Sequence, residues 1–324
     1  MSVPTPIQIP SPAEPTRMLS KEELQALKED GAVCARGLID DATIAHMREA
    51  LEDVISSQSV LGGNALSLAD KGFHGDIFVW KIHDSFRDLA LFSSLPCLAQ
   101  QVLDTEKVNF FYEQFFVKRA GSPIETPWHQ DIPFWPVAGN QIISFWLTLD
   151  PVTRLSSGLE FVRGSHLWDQ RYKAVTPNYD PYMMDSDLPA SPNFGEQREG
   201  VELLGWDMEP GDVLLFGPVV CHGSEGNASN EQDRRALAFR YCGGDVTFAP
   251  RHATMPLLWE HGLEPGDPLA GSLFPQVWPH ALEPEVARRL EGPDPPSPKA
   301  MGEFFQHLQK SGFGPKDGDR SIFN

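Results

Sequence analysis

"TPWHQDIPFW", residues 126–135, sets a histidine and a carboxylate two residues apart among bulky aromatics: His129 and Asp131. The chain holds ten histidines and 45 acidic residues, so such a pair arises by chance, and His74-Gly75-Asp76 in "FHGD" is a second one. The pair carries meaning only if a partner waits further along. A mononuclear iron(II) oxygenase centre needs two neutral imidazoles and one carboxylate on one face of the metal, with the remaining positions open. In a jelly roll the first histidine and the carboxylate come from one strand end. The second histidine arrives from a late strand, adjacent in space.

"EPGDVLLFGPVVCHGSEGN", residues 209–227, supplies that partner. Glu209-Pro210-Gly211-Asp212 reads as a turn, "VLLF" as a strand, and His222 falls in the short strand after it. The pair at 74–76 fails the same test, because its next histidine, His83, lies in the same stretch. A co-substrate such as 2-oxoglutarate adds a requirement: a fixed cation for its far carboxylate on the strand that follows. "EQDRRALAFRY" offers Arg234 and Arg235. Strand alternation puts Arg234 on one face with Ala236 and Ala238, which leave room for a ligand. Arg235 shares its face with Leu237, Phe239 and Tyr241, which look like packing. Arg234 is therefore the expected carboxylate partner, its planar guanidinium suited to bidentate binding.

The rest of the chain is consistent with that frame. "SKEELQALKEDG" opens with a capping box, Ser20 to Glu23, and ends at glycine, which predicts a short helix. "AVCARGLI" reads as a strand. "DDATIAHMREALEDVISS" carries Ile44, Met47, Leu51, Val54 and Ile55 at helical spacing. "DIFVWKIHD" reads as a strand, and short helices follow near 85–93 and 95–104. From residue 107 strands follow one another between Pro/Gly turns with no helices between them. Helices first and then strands predict an α+β, mainly β protein: a double-stranded β-helix (jelly roll, cupin-like) with the N-terminal helices packed on its major sheet.

The expected organisation is a Pro-rich arm over 1–18, one oxygenase domain over 19–290 and a tail over 291–324. Within the domain a helical part spans 19–105 and the jelly-roll core about 106–250. Inserts near 165–200 and 250–290 are read as lids. Their apolar residues are Tyr179, Tyr182, Met183, Met184 and Phe194 in the first, and Leu258, Trp259, Phe274 and Trp278 in the second.

Charge and cysteine usage bound the partners. A formal net charge of −19 argues against nucleic acid and anionic membrane surfaces. No apolar run reads as a signal peptide or membrane span. Four scattered cysteines without metal-type spacing read as reduced thiols, and "SIFN" at the end does not match a peroxisomal address, so the cytoplasm is the expected compartment. Cys221, next to His222, reads as a small buried residue, and Arg240 as a structural partner of Asp245. The oligomeric state stays open between monomer and homodimer.

Together "FVKRAG…TPWHQD", "SFWLTLD…SSGLEFVRGSH", "EPGDVLLF…CHGSEGN" and "DRRALAFRY" resemble the phytanoyl-CoA dioxygenase family of iron(II)/2-oxoglutarate oxygenases, over about residues 74–245. The resemblance implies iron(II) held by His129, Asp131 and His222, with 2-oxoglutarate and O2 as co-substrates. It implies 2-oxoglutarate contacts from Arg234, Ser224, Trp146 and Lys81, and an apolar lining from Phe115. The expected reaction is hydroxylation of an unactivated C–H bond in a small or medium organic molecule, with release of succinate and CO2. A carboxylate at 131 argues against a halogenase, which needs a small residue there. The inserts do not resemble those of the fatty-acyl-CoA enzyme, and sparse Lys and Arg in them disfavour an acyl-CoA. A jelly-roll metal enzyme that does not use 2-oxoglutarate would not need Arg234. A non-catalytic binding module would not need all three ligands.

Overall fold

Ser20 Oγ accepts from the Glu23 amide at 3.1 Å, the Glu23 carboxylate accepts from the Ser20 amide at 2.8 Å, and helix α1 (Lys21–Asp30) starts there. The capping box thus closes as the sequence predicts. The structure is a computed structural model; it describes residues 14–56, 68–176, 186–255, 257 and 259–279. Strand β1 (Ala32–Ala35) and helix α2 (Asp41–Ser56) follow, and α2 buries Ile44, Met47, Leu51 and Val54 as one stripe. Strand β2 stops early, at Phe73–Ile77. Phe78 takes the left-handed region at φ 57°, and a 3-10 turn over Val79–Lys81 leads into helix α3 (Asp84–Phe92). The expectation of one strand through His83 is corrected here: apolar content gives no sign of this reversal. Helix α4 (Leu95–Leu103) completes the helical layer.

The strands then run without interruption by helix. They are β3 (Val108–Lys118), β4 (Thr126–His129), β5 (Val137–Ala138), β6 (Ile142–Thr148), β7 (Glu160–Val162), β8 (Leu203–Gly205), β9 (Val213–Phe216), β10 (His222–Ser224), β11 (Arg234–Cys242), β12 (Thr247–Phe248) and β13 (Gln276–Trp278). The major sheet has the order β1-β9-β6-β11-β3-β13, with β2 also pairing β3. The minor sheet has the order β4-β10-β7-β8. All pairings are antiparallel. This is the expected jelly roll.

Each major-sheet strand divides its side chains by alternation. Leu237, Phe239 and Tyr241 of β11, with Phe145 and Leu147 of β6, face the helices and join α2, α3 and α4 in the larger core. Ala236 and Ala238 face the minor sheet, where Trp146, Leu214, Phe216 and Phe161 close the smaller core. Where they are described, the first insert packs against the minor sheet and the second against the helix-side core. Phe194 meets Trp128 on the outer face of the minor sheet, with ring centres 5.6 Å apart. Trp259 and Phe274 are buried in the helix-side core. Tyr179, Tyr182, Met183, Met184 and Leu258 lie outside the described residues, as do most of the N-terminal arm and the C-terminal tail.

Candidate metal centre

Pairing of β10 with β4 sets His222 directly across from His129. Gly223 makes this approach possible: a Cβ there would lie 3.0 Å from Thr126 O and 3.1 Å from the Trp128 ring. Asp131 begins the 3-10 turn after β4 and turns back toward both rings. Its Oδ1 lies 3.4 Å from His129 Nε2 and 3.8 Å from His222 Nε2. One ligand atom from each of the three residues falls within a 4.8 Å group.

The protonation states suit a metal. His129 Nδ1 contacts Pro127 O at 2.7 Å and His222 Nδ1 contacts Val220 O at 3.1 Å. A carbonyl only accepts, so both Nδ1 atoms carry the hydrogen and both Nε2 atoms offer lone pairs. Burial pushes the His222 imidazole down to about 4, aided by the neighbouring His129. Burial pushes the Asp131 carboxyl up, but His129, His222 and Arg240 outweigh it and hold the group below the usual carboxylate range. An ionised carboxylate and a neutral imidazole are the forms that bind a divalent ion. Asp131 Oδ2 is buried and has no hydrogen-bond partner among the described residues.

Beside this cluster lies a second one, cationic and buried. Arg234 starts β11 and pairs across the strands with Lys118, the last residue of β3. Both side chains are fully buried. Arg234 lies 5.6 Å over the Trp146 ring, donates to Ser157 Oγ at 3.2 Å, and leaves its Nε without a partner. Lys118 Nζ donates to Ser224 Oγ at 2.9 Å and to Glu225 O at 3.1 Å. Ser157 holds the left-handed conformation at φ 69° and donates to Glu225 O at 2.6 Å. Burial lowers Arg234 to about 9, and burial together with the Arg234 charge pulls Lys118 well below its ordinary value. Neither makes an ion pair among the described residues, so the pocket carries positive charge that calls for an anion. Ser224 lies two residues beyond His222 on β10, roughly 7 Å along the strand, which places the cations within reach of a short dicarboxylate bound at the histidines.

A sequence profile for the phytanoyl-CoA dioxygenase (PhyH) family matches residues 27–236. The chain belongs to the phytanoyl-CoA dioxygenase family. A probable phytanoyl-CoA dioxygenase of Caenorhabditis elegans is 22% identical over 71% of this chain and 77% of its own length. The 1-deoxypentalenic acid 11-beta-hydroxylase of Streptomyces arenae is 36% identical over 32% of this chain and 35% of its own length. Among solved structures, the non-heme alpha-ketoglutarate-dependent carbocyclase SnoK from nogalamycin biosynthesis superposes with a TM-score of 0.64 at 22% identity, covering 80% of this chain and 96% of that one. As a PhyH protein the chain is an iron- and 2-oxoglutarate-dependent dioxygenase.

The structure brings together His129, Asp131 and His222, and beside them Arg234, Ser224 and Trp146. It does not bring Phe115 there. Phe115 points to the helices, with its ring 6.4 Å from Phe86, and pairs with Leu237. Its neighbour Phe116 pairs with Ala236 and packs on the inner core. This corrects the expectation by one residue, which in a strand means the opposite face. Lys81 is buried on the turn before α3 rather than on a strand, with Nζ 5.2 Å over Trp80, a ring of the helix-side core. Arg235, by contrast, pairs with Asp150 at 2.7 Å and Glu52 at 3.3 Å on the outer face. Arg240 does not pair with Asp245, which accepts from the Asn140 and Gln141 amides; it faces Asp131. Sequence reading passed over Lys118 and Ser157. Alternation from Arg234 through the antiparallel partner strand points to Lys118, whereas nothing local marks Ser157.

Proposed function

We propose that His129, Asp131 and His222 hold the iron, and that Arg234, Lys118, Ser157, Ser224 and Trp146 hold 2-oxoglutarate for hydroxylation of a small or medium organic molecule. The observation that carries this reading is the pairing of a three-ligand cluster with two buried cations that make no ion pair among the described residues. Iron, 2-oxoglutarate and O2 together supply the oxidation: one oxygen atom goes into succinate as CO2 leaves, the other into a C–H bond of the substrate. The chain's own residues determine where and how this happens. The two Nδ1–H bonds to carbonyls fix each imidazole so that Nε2 faces inward. Arg234 and Lys118 neutralise the far carboxylate, and Trp146 closes the flank above the guanidinium. Ala236 and Ala238, with no side chain beyond Cβ, take up little of the space beside Arg234. The buried apolar wall of Phe161, Phe216 and Leu214 keeps water from the reacting centre.

The name of the Streptomyces relative, a hydroxylase of 1-deoxypentalenic acid, and the apolar inner core together support a substrate with apolar bulk. The test is succinate release from purified protein with iron(II), 2-oxoglutarate and O2. His129→Ala, Asp131→Ala and His222→Ala are each expected to abolish it. Turnover that survives in a folded single variant removes that residue from the centre. A panel of apolar carboxylic acids and acyl-CoA esters then separates the substrate classes, since only the true class raises succinate release above the substrate-free rate.

A further inference from the structure

The two oxygens of Asp131 have different neighbours. Oδ1 faces both histidines, while Oδ2 faces Arg240 Nε at 4.0 Å. Arg240 lies on β11 six residues after Arg234, on the same inward face and toward the other end of the barrel. It is buried, and its guanidinium is held on three sides. NH1 donates to Ala238 O and NH2 to Gln114 Oε1, each at 3.4 Å. Its central carbon lies 4.4 Å from the Tyr112 ring centre and 5.5 Å from that of Trp135. Trp135 Nε1 donates to Tyr112 OH at 2.6 Å, so the two rings form one wall. Of its three nitrogens, Nε is the one without a partner among the described residues. Arg240 Nε and Asp131 Oδ2 are both buried without a hydrogen-bond partner among the described residues, and they face each other.

We infer that Arg240 is a positioning residue of the metal centre: its Nε holds the outer oxygen of Asp131, so that the carboxylate offers the metal Oδ1 alone. The inference rests on the ligand assignment proposed above. A carboxylate that turns freely can give one oxygen or two. Giving two occupies a further coordination position, and this chemistry needs those positions for co-substrate and O2. A buried arginine clamped by two aromatic rings and two acceptors is a fixed charge, and a fixed charge on one oxygen sets the rotation of the carboxylate about its own axis. The function is therefore assigned to geometry at the metal, with no contact to substrate.

The test measures the metal site itself. Apoprotein is titrated calorimetrically with Co2+, and the visible absorption of the Co2+ form is recorded, since its intensity follows coordination number. Arg240→Gln is expected to weaken Co2+ binding about 10- to 100-fold, the usual effect of losing an outer partner of a metal ligand, and to change the absorption. Arg240→Lys, which restores charge without the planar donor, should fall between. A folded Arg240→Gln protein with Co2+ affinity within about twofold of wild type and an unchanged spectrum overturns the inference. Asp131→Asn separates the two assignments: if it leaves Co2+ binding intact, the ligand set is wrong, whereas weakened binding in Asp131→Asn beside normal binding in Arg240→Gln sinks only the role of Arg240. Should the glutamine variant fail to fold, a crystal structure of wild-type protein with Mn2+ decides. A Nε–Oδ2 hydrogen bond near ~3 Å with one-oxygen ligation is expected; two-oxygen ligation by Asp131, or Arg240 turned away from it, overturns the inference.

Discussion

Replacing Arg234 by methionine should make the co-substrate-free protein more stable while removing its response to 2-oxoglutarate. Arg234 is fully buried, and the acid that acts on it among the described residues, Asp150, is already paired with Arg235. Burial lowers its guanidinium from 12.5 to about 9; such a fall corresponds to roughly 5 kcal/mol against the charged form. The hydrogen bond to Ser157, a long contact to Phe116 O and the Trp146 ring offset part of that cost. A methionine of similar length fills the volume without a charge, so a net gain of about 1–3 kcal/mol is expected, in the range seen when buried ionic groups give way to apolar ones. In a chain of this size that is a rise of a few degrees in Tm. The co-substrate effect runs the other way. Losing a desolvated charge pair costs roughly 2–5 kcal/mol of binding, about 30-fold or more in Kd.

Arg235→Met is the control, because the two residues are adjacent and face opposite ways. The Arg235 side chain makes two bonds to Asp150, at 2.7 and 2.9 Å, and removing it leaves Arg48, at 3.8 Å, as the cation beside that buried carboxylate among the described residues. The Arg235 amide still donates to Asp150 in the variant, at 3.0 Å, but the charged partner is gone, so Tm should fall and the 2-oxoglutarate response stay intact. The assay is anaerobic thermal unfolding of both variants with Mn2+, with and without 2-oxoglutarate. A fall in Tm for Arg234→Met without co-substrate, or a preserved 2-oxoglutarate shift in it, refutes the reasoning. An exchange of the two phenotypes would place β11 one residue out of register.

Lys118→Met should raise the Kd for 2-oxoglutarate at least about tenfold while leaving Mn2+ binding in its absence unchanged, as measured by calorimetry; equal 2-oxoglutarate affinity would remove Lys118 from the pocket. Glu113, buried on the helix side and accepting from the Trp80 amide, is pushed up by burial from 4.5 to about 8. Between those values the native protein holds a proton that the unfolded chain has lost, so the contribution of Glu113 is full below pH 4.5 and disappears as pH rises through about 8. Glu113→Gln keeps the acceptor and should flatten that part of the stability profile, a difference of a few kcal/mol read by urea unfolding at pH 5 and pH 8; parallel profiles for the two proteins would show that Glu113 ionises normally.

The sequence revealed the parts of the site that depend on order along the chain. His129 and Asp131 share a strand end, His222 follows a Gly-Asp turn, and alternation assigns Arg234 and Arg235 to opposite faces; each is a local statement. The misses needed knowledge of partners. Phe115 and Phe116 are both aromatic and adjacent, so composition cannot tell which faces the barrel; the pairing with Leu237 and Ala236 decides it. Lys81 looked like a strand residue because nothing in "FVWK" announces the left-handed backbone at Phe78. Arg240 has an acid five residues away in Asp245, and the eye pairs neighbours. In the fold that acid caps the amides of residues 140 and 141, whereas the partner of Arg240 comes from a turn more than a hundred residues earlier.

A single strand face carries most of this chemistry. Along β11, Arg234, Ala236, Ala238 and Arg240 point inward in turn, as a period of two requires. The two arginines are both buried, but their surroundings differ in kind. Arg240 lies against the Tyr112 and Trp135 rings and faces a carboxylate, so its charge is answered within the protein. Arg234 sits beside another cation and makes no ion pair among the described residues. Low dielectric makes that contrast matter: the charge that is answered fixes a side chain, and the charge that is not attracts a ligand. The two alanines between them separate a positioning arginine from a binding one. Filling that gap, as Ala238→Leu would, should therefore block 2-oxoglutarate while sparing Co2+ binding. Loss of both together would mean that the strand acts as one rigid unit rather than as two sites on a common face.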